Sequence, residues 1–183
     1  MLERLRSIVQ KVNAARDLQS ALDIIVRKVR EALDTQVCSV FLLDSDINAH
    51  VLMASDGLNK ESVGHVSLEA GEGLVGLVAK HAEPINLQDA SLHPSFHYLK
   101  DTGEELYHSF LGVPIIHHRS VLGVLVVQHE ERRRFDESEE AFLITLSAQL
   151  AGVIAHAEAT GAVEGMSPSG HKTADTAFPG VSG

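Results

Sequence analysis

The sequence predicts a mixed α/β domain of the α+β kind, built on an antiparallel sheet of five to six strands with amphipathic helices packed against it. Two opening segments repeat apolar residues at helical spacing, and a third does so after residue 136. Between them, residues 109–130 hold two runs rich in Val, Ile and Leu around a short polar segment at 117–120, the pattern of an antiparallel hairpin. With 44% hydrophobic and 22% charged residues, the 183-residue chain has the balance of one domain with a single sizeable core.

In chain order, Leu5, Ile8, Val9 and Val12 mark a first amphipathic helix with Arg and Lys on its other face. Asp17 caps a second, whose apolar stripe is Leu22, Ile25, Val26, Val29 and Leu33 and which stops near Asp34 and Thr35. Residues 37–43 and 50–55 read as a strand pair turned by Asp44-Ser45-Asp46, and residues 64–68 as a short third strand. Gly71 and Gly73 open a helix lined by Leu74, Val75, Leu77 and Val78; no G-K-[ST] follows, so this is a tight turn rather than a phosphate loop. Residues 84–87 form a brief extended piece. Residues 89–108 lack periodicity, which in a compact domain points to a binding segment. In the main hairpin Pro114 cannot donate to a ladder and belongs at an edge, bulge or cavity, while Gly112 and Gly123 allow close approach. Asp136 and Glu139 then form a capping box, stapled by Phe135, for a helix running to about Ala159. The organisation expected is a signalling and dimerisation helix at 1–16, a domain at 17–160, and a Gly-, Pro- and Ser-containing linker at 161–183 that leads toward something longer.

Composition narrows the function. A formal net charge of -10 disfavours nucleic acid and anionic membrane surfaces as partners, and no run of apolar residues is continuous enough to span a bilayer. The lone Cys38 excludes an intrachain disulfide and fits a reducing, cytoplasmic compartment; inside an apolar strand it is a poor nucleophile. Eleven histidines raise the question of a metal. Asp89, His93 and His97 could converge on iron only if their loop folded back, and Pro94 works against the helical geometry that would align the two imidazoles. Neither a nucleophile elbow nor a metal-ligand spacing appears, so the residues favour a binding module without a cofactor over an enzyme.

The order of elements, together with Gly73-Leu74-Val75-Gly76, Pro84-Ile85, Asp89, Ser109-Phe110-Leu111-Gly112-Val113-Pro114-Ile115 and Leu122-Gly123-Val124-Leu125, resembles the GAF domain family. The resemblance implies terminal helices on one face of the sheet and a small-molecule pocket under a helix and loop on the other. The opening M-L-E-R-L-R-S-I-V-Q-K-V-N-A-A and the closing T-A-F-P-G-V-S-G are similar to one group within it, the sensor domains of nitrogen-branch phosphoenolpyruvate-protein phosphotransferases. That implies sensing of glutamine or 2-oxoglutarate and control of autophosphorylation in downstream phosphotransferase domains. The T-S-H type phosphorylation motif is absent, so the chain itself is not expected to transfer phosphate.

On this reading the ligand's polar contacts are Ser39, Asn86, Asp89, Tyr98, Ser109 and Gln128, with Phe41, Val78, Phe96, Leu111 and Val113 as walls. Asp89 would accept an ammonium, favouring glutamine. The first and last helices would pair two copies across a two-fold axis. The alternatives are an iron or haem sensor using His93, His97 or His108, and a ligand-free dimerisation module.

Overall fold

The computed structural model describes residues 2–96 and 107–161. Helix α1 (Leu2–Asn13) leads into α2 (Leu18–Leu33), whose first turn is capped by the Asp17 carboxylate accepting from the Ser20 amide at 2.8 Å. Asp34 takes a left-handed φ of 53° and ends α2. The strands are β1 (Val37–Asp44), β2 (Ala49–Asp56), β3 (Ser67–Glu69), β4 (Ile85–Leu87), β5 (Ser109–His117) and β6 (Ser120–His129), with α3 (Gly73–His81) between β3 and β4. The last helix, α4 (Glu137–Ala159), begins with the full capping box: Asp136 accepts from the Glu139 amide and Glu139 from the Asp136 amide.

Among the described residues the strands form one antiparallel sheet in the order β3-β2-β1-β6-β5-β4. The β5–β6 turn is a tight one in which His118 and Arg119 both take positive φ, as the twist of a two-residue hairpin requires. Gly123 lets β6 run close to β1, since a Cβ there would meet the Phe41 carbonyl at 2.1 Å. Pro114 lies past the last β4 pairing, Ile85 with Gly112, so on that side its missing amide breaks no ladder bond.

One sheet face carries Cys38, Val40, Leu42, Leu111, Val113, Ile115, Leu125 and Val127 and is roofed by α1, α2 and α4. The other carries Val37, Phe41, Leu52, Phe110, Val124 and Val126 and meets α3. Helix α4 is long and apolar enough to cross a bilayer, although the sequence has no unbroken apolar run of that length. Its Phe142, Leu143, Leu146 and Leu150 are instead buried on the sheet, as a core helix's would be.

Candidate functional site

Alternation along β1, β5 and β6 decides what faces α3. Phe41, Phe110, Val126 and Gln128 do; with Leu68, Leu74 and Val75 they surround a hollow closed at its rim by Ala90 and Phe96. Its volume is about 30 Å3, room for roughly two waters. Phe110 reaches over β5 because position 112 is glycine: a Cβ there would meet the Phe110 ring at 2.8 Å and the Val78 side chain at 3.2 Å. Gln128 is only 7% exposed, and among the described residues its side-chain amide makes no hydrogen bond. It is the hollow's one uncommitted polar side chain among them.

Of the side chains expected at a pocket, Phe41, Phe96 and Gln128 line this hollow, and Val78 lies fully buried in the apolar cluster behind it. The others are placed differently. Leu111 and Val113 point the opposite way, into the core under α4, because strand parity puts Phe110 and Gly112 on the α3 side. Ser109 shares the parity of Leu111, is buried, and donates its hydroxyl to the His129 carbonyl at 3.3 Å. Ser39 is paired with the Ser55 hydroxyl at 2.9 Å. Asn86 faces the helices too, and its side chain clamps the chain ahead of α4: its amide donates to the Phe135 carbonyl at 2.8 Å and its oxygen accepts from the Phe135 amide at 3.1 Å. Tyr98 lies outside the described residues.

Asp89 stands at the rim with its carboxylate already engaged. It accepts from the Ser91 hydroxyl at 2.7 Å, the Ser91 amide at 3.2 Å and the Arg132 Nε at 2.8 Å, with His108 Nδ1 at 3.6 Å. The Ser91 hydroxyl and then the Arg132 guanidinium hold its carboxyl down at about 2, below the ordinary 3.8. An ammonium finds no free carboxylate there. Four ties therefore join residues 86–89, next to the rim residue Ala90, to the segment leading into α4: Asp89 to Arg132, the Gln88 amide to the Arg132 carbonyl, Asn86 to Phe135, and the Arg134 guanidinium to the Asn86 carbonyl.

Among the described residues no three His, Cys, Asp or Glu side chains converge as metal ligands. His93 accepts from the Ser95 amide at 3.0 Å, and His97 lies outside the described residues. Cys38 is fully buried under the helices, and loss of hydration, with the Asp56 charge adding to it, pushes its thiol far above the ordinary value. The hollow-lining Phe110, Val126, Leu74 and Leu68 were not among the residues expected. Parity could have found two of them, since Gln128 shares its face with Val126 two residues before it and with Phe110 directly across the ladder.

The GAF domain family model matches residues 17–154. The chain is 50% identical over 160 residues to the Escherichia coli K12 protein named "Phosphoenolpyruvate-dependent phosphotransferase system", an alignment covering 87% of this chain and 21% of that one. The chain thus spans about a fifth of the length of the curated relatives it matches. Among solved structures it is similar to the GAF domain of a phosphoenolpyruvate-protein phosphotransferase from Coxiella burnetii, with 50% identity, a TM-score of 0.85, and 88% of this chain and 96% of that one covered. The Acinetobacter counterpart gives 51% identity, a TM-score of 0.80, and 87% and 96% coverage. With its six-stranded antiparallel sheet, its roof of terminal helices and its α3-covered hollow, the chain belongs to the GAF domain family, in the group found in phosphoenolpyruvate-protein phosphotransferases.

Proposed function

We propose that this chain is the cytoplasmic sensing module of a nitrogen-related phosphoenolpyruvate-protein phosphotransferase, and that it binds glutamine or 2-oxoglutarate in the α3-side hollow to set downstream autophosphorylation. The observation that carries this reading is Gln128, a buried and uncommitted amide beside a residual hollow on the sheet face the terminal helices leave free. The NH2 of a primary amide donates, so it suits the carboxylate of either metabolite. With Asp89 held by Arg132 and Ser91, no rim carboxylate singles out glutamine. At about 30 Å3 the hollow admits such a ligand only when Phe96 withdraws. Because Asp89, next to the rim residue Ala90, is tied to Arg132, that withdrawal bears on the segment entering α4, which supplies a route to the rest of the parent chain.

A homodimer through α1 and α4 belongs to the same reading. Ala141, Ile144, Ala148 and Gly152 form an outward stripe on α4, and Ile144 is 41% exposed. Sedimentation should show a dimer, and a monomer at every concentration would remove this part. Titration calorimetry with glutamine and 2-oxoglutarate tests the pocket: one of the two should bind, and Gln128→Leu should weaken it roughly tenfold or more. Binding of neither metabolite would instead favour a ligand-free dimerisation module, a second reading that the smallness of the hollow supports.

A further inference from the structure

Helix α3 has a second concavity along its length. A cleft of about 440 Å3 opens between α3, the β1–β2 turn and the β5–β6 hairpin, within the roughly 300–1,000 Å3 of small-molecule sites. Leu43, Ala79 and Val121 give it apolar walls, and its polar side chains among the described residues are Asn48, His50 and Lys80.

His50 is the informative one. It is 3% exposed, and both imidazole nitrogens are closed off without a hydrogen-bond partner among the described residues. Its ladder neighbours across the sheet are Leu43 and Leu68, which offer hydrocarbon only. Burying a polar ring unpaired is costly, and native structures keep such groups chiefly where something else completes them. Loss of hydration also holds this imidazole below its ordinary pKa, leaving one N–H to donate and one lone pair to accept at neutral pH. Leu43, 39% exposed, and Lys80, also exposed, stand at the mouth and can turn aside as a ligand enters.

We propose that this cleft binds a small monocarboxylate with a short aliphatic body, His50 donating to a carboxylate oxygen, Lys80 opposing its charge and Leu43, Ala79 and Val121 enclosing its hydrocarbon. A single cation matches a single negative charge; a phosphate dianion would leave charge unmet against apolar walls. The site shares no lining residue with the Gln128 hollow and stands or falls separately from it. Leu74 and Val75 of α3 line the hollow, whereas Gly76, Ala79 and Lys80 line the cleft, so the same helix serves both.

Isobutyrate is the probe, followed by methyl NMR of Leu43 and Val121 in the whole chain. Saturable shifts should appear with isobutyrate and not with isobutylamine. Lys80→Ala, at an exposed position, should weaken binding on the order of tenfold. His50→Phe should abolish binding while leaving a cooperative melt, since an apolar ring suits that site. Gln128→Leu should leave the shifts unchanged. Absence of saturable shifts, equal response to isobutylamine, undiminished affinity in both Lys80→Ala and His50→Phe, or loss of the shifts in Gln128→Leu would each overturn the proposal.

Discussion

The two faces of the sheet are filled by different means. Under α1, α2 and α4 the filling is aliphatic and close to seamless: Leu22, Ile25, Leu111, Ile115, Leu125, Leu143, Leu146 and Leu150 have essentially no exposure, and interdigitating Leu and Ile leave little space. On the α3 side three phenylalanines, Phe41, Phe96 and Phe110, pack with a nine-residue helix, and the packing is broken by a buried amide at Gln128 and a small hollow. Leu74, 6% exposed, stands at that boundary, where Leu143 has no exposure at all. The difference teaches which face bears the stability and which is left free to change. The helix-side core is made of interlocking aliphatics; the α3 side is made of a few large rings around a residual hollow.

The most severe way to test that contrast is one deletion made on both faces. Leu143→Ala should cost about 3–5 kcal/mol in urea denaturation, and Leu74→Ala about 2–3 kcal/mol, because the thinner α3 side relaxes into the space. Equal losses would erase the distinction. Next comes the tie between β4 and the segment entering α4. Asn86→Ala leaves both the Phe135 amide and carbonyl without their partner and should cost about 2 kcal/mol. Unchanged stability would show that the clamp is dispensable.

The smallest effect belongs to Asp89. Its carboxyl titrates at about 2 in the folded protein against an ordinary 3.8. A depressed value means a contribution that is complete above the unfolded value and disappears as pH falls through the folded one. Wild type should therefore melt above Asp89→Asn at neutral pH, and the two curves should converge as pH drops from 3.8 toward about 2. The gap should be a fraction of that for Asn86→Ala, since the Arg132 partner is largely exposed. Curves that already coincide at neutral pH would show that the carboxylate stabilises nothing.

The helices and hairpins were legible because their signals are local. Stripes at helical spacing, the Asp17 cap, the Asp136–Glu139 box and the polar turn at 117–120 all depend on neighbours in the chain. The orientation of β5 was not, because S-F-L-G-V-P-I-I is apolar on both faces and offers no alternation to read. Leu111 and Val113 were thus assigned to the wrong side while Phe110 was passed over. The ties made by Asn86 and Asp89 span 49 and 43 residues, and no spacing rule reaches so far. Gln128 could be read because a lone amide in a Val-rich strand is conspicuous wherever the strand points.

Both margins of the sheet are three-residue strands, β3 on one side and β4 on the other. Each offers an incoming chain only a few free backbone groups, too short a template for another polypeptide to extend the ladder. Among the described residues the sheet thus presents little edge for edge-wise polymerisation or fibre growth.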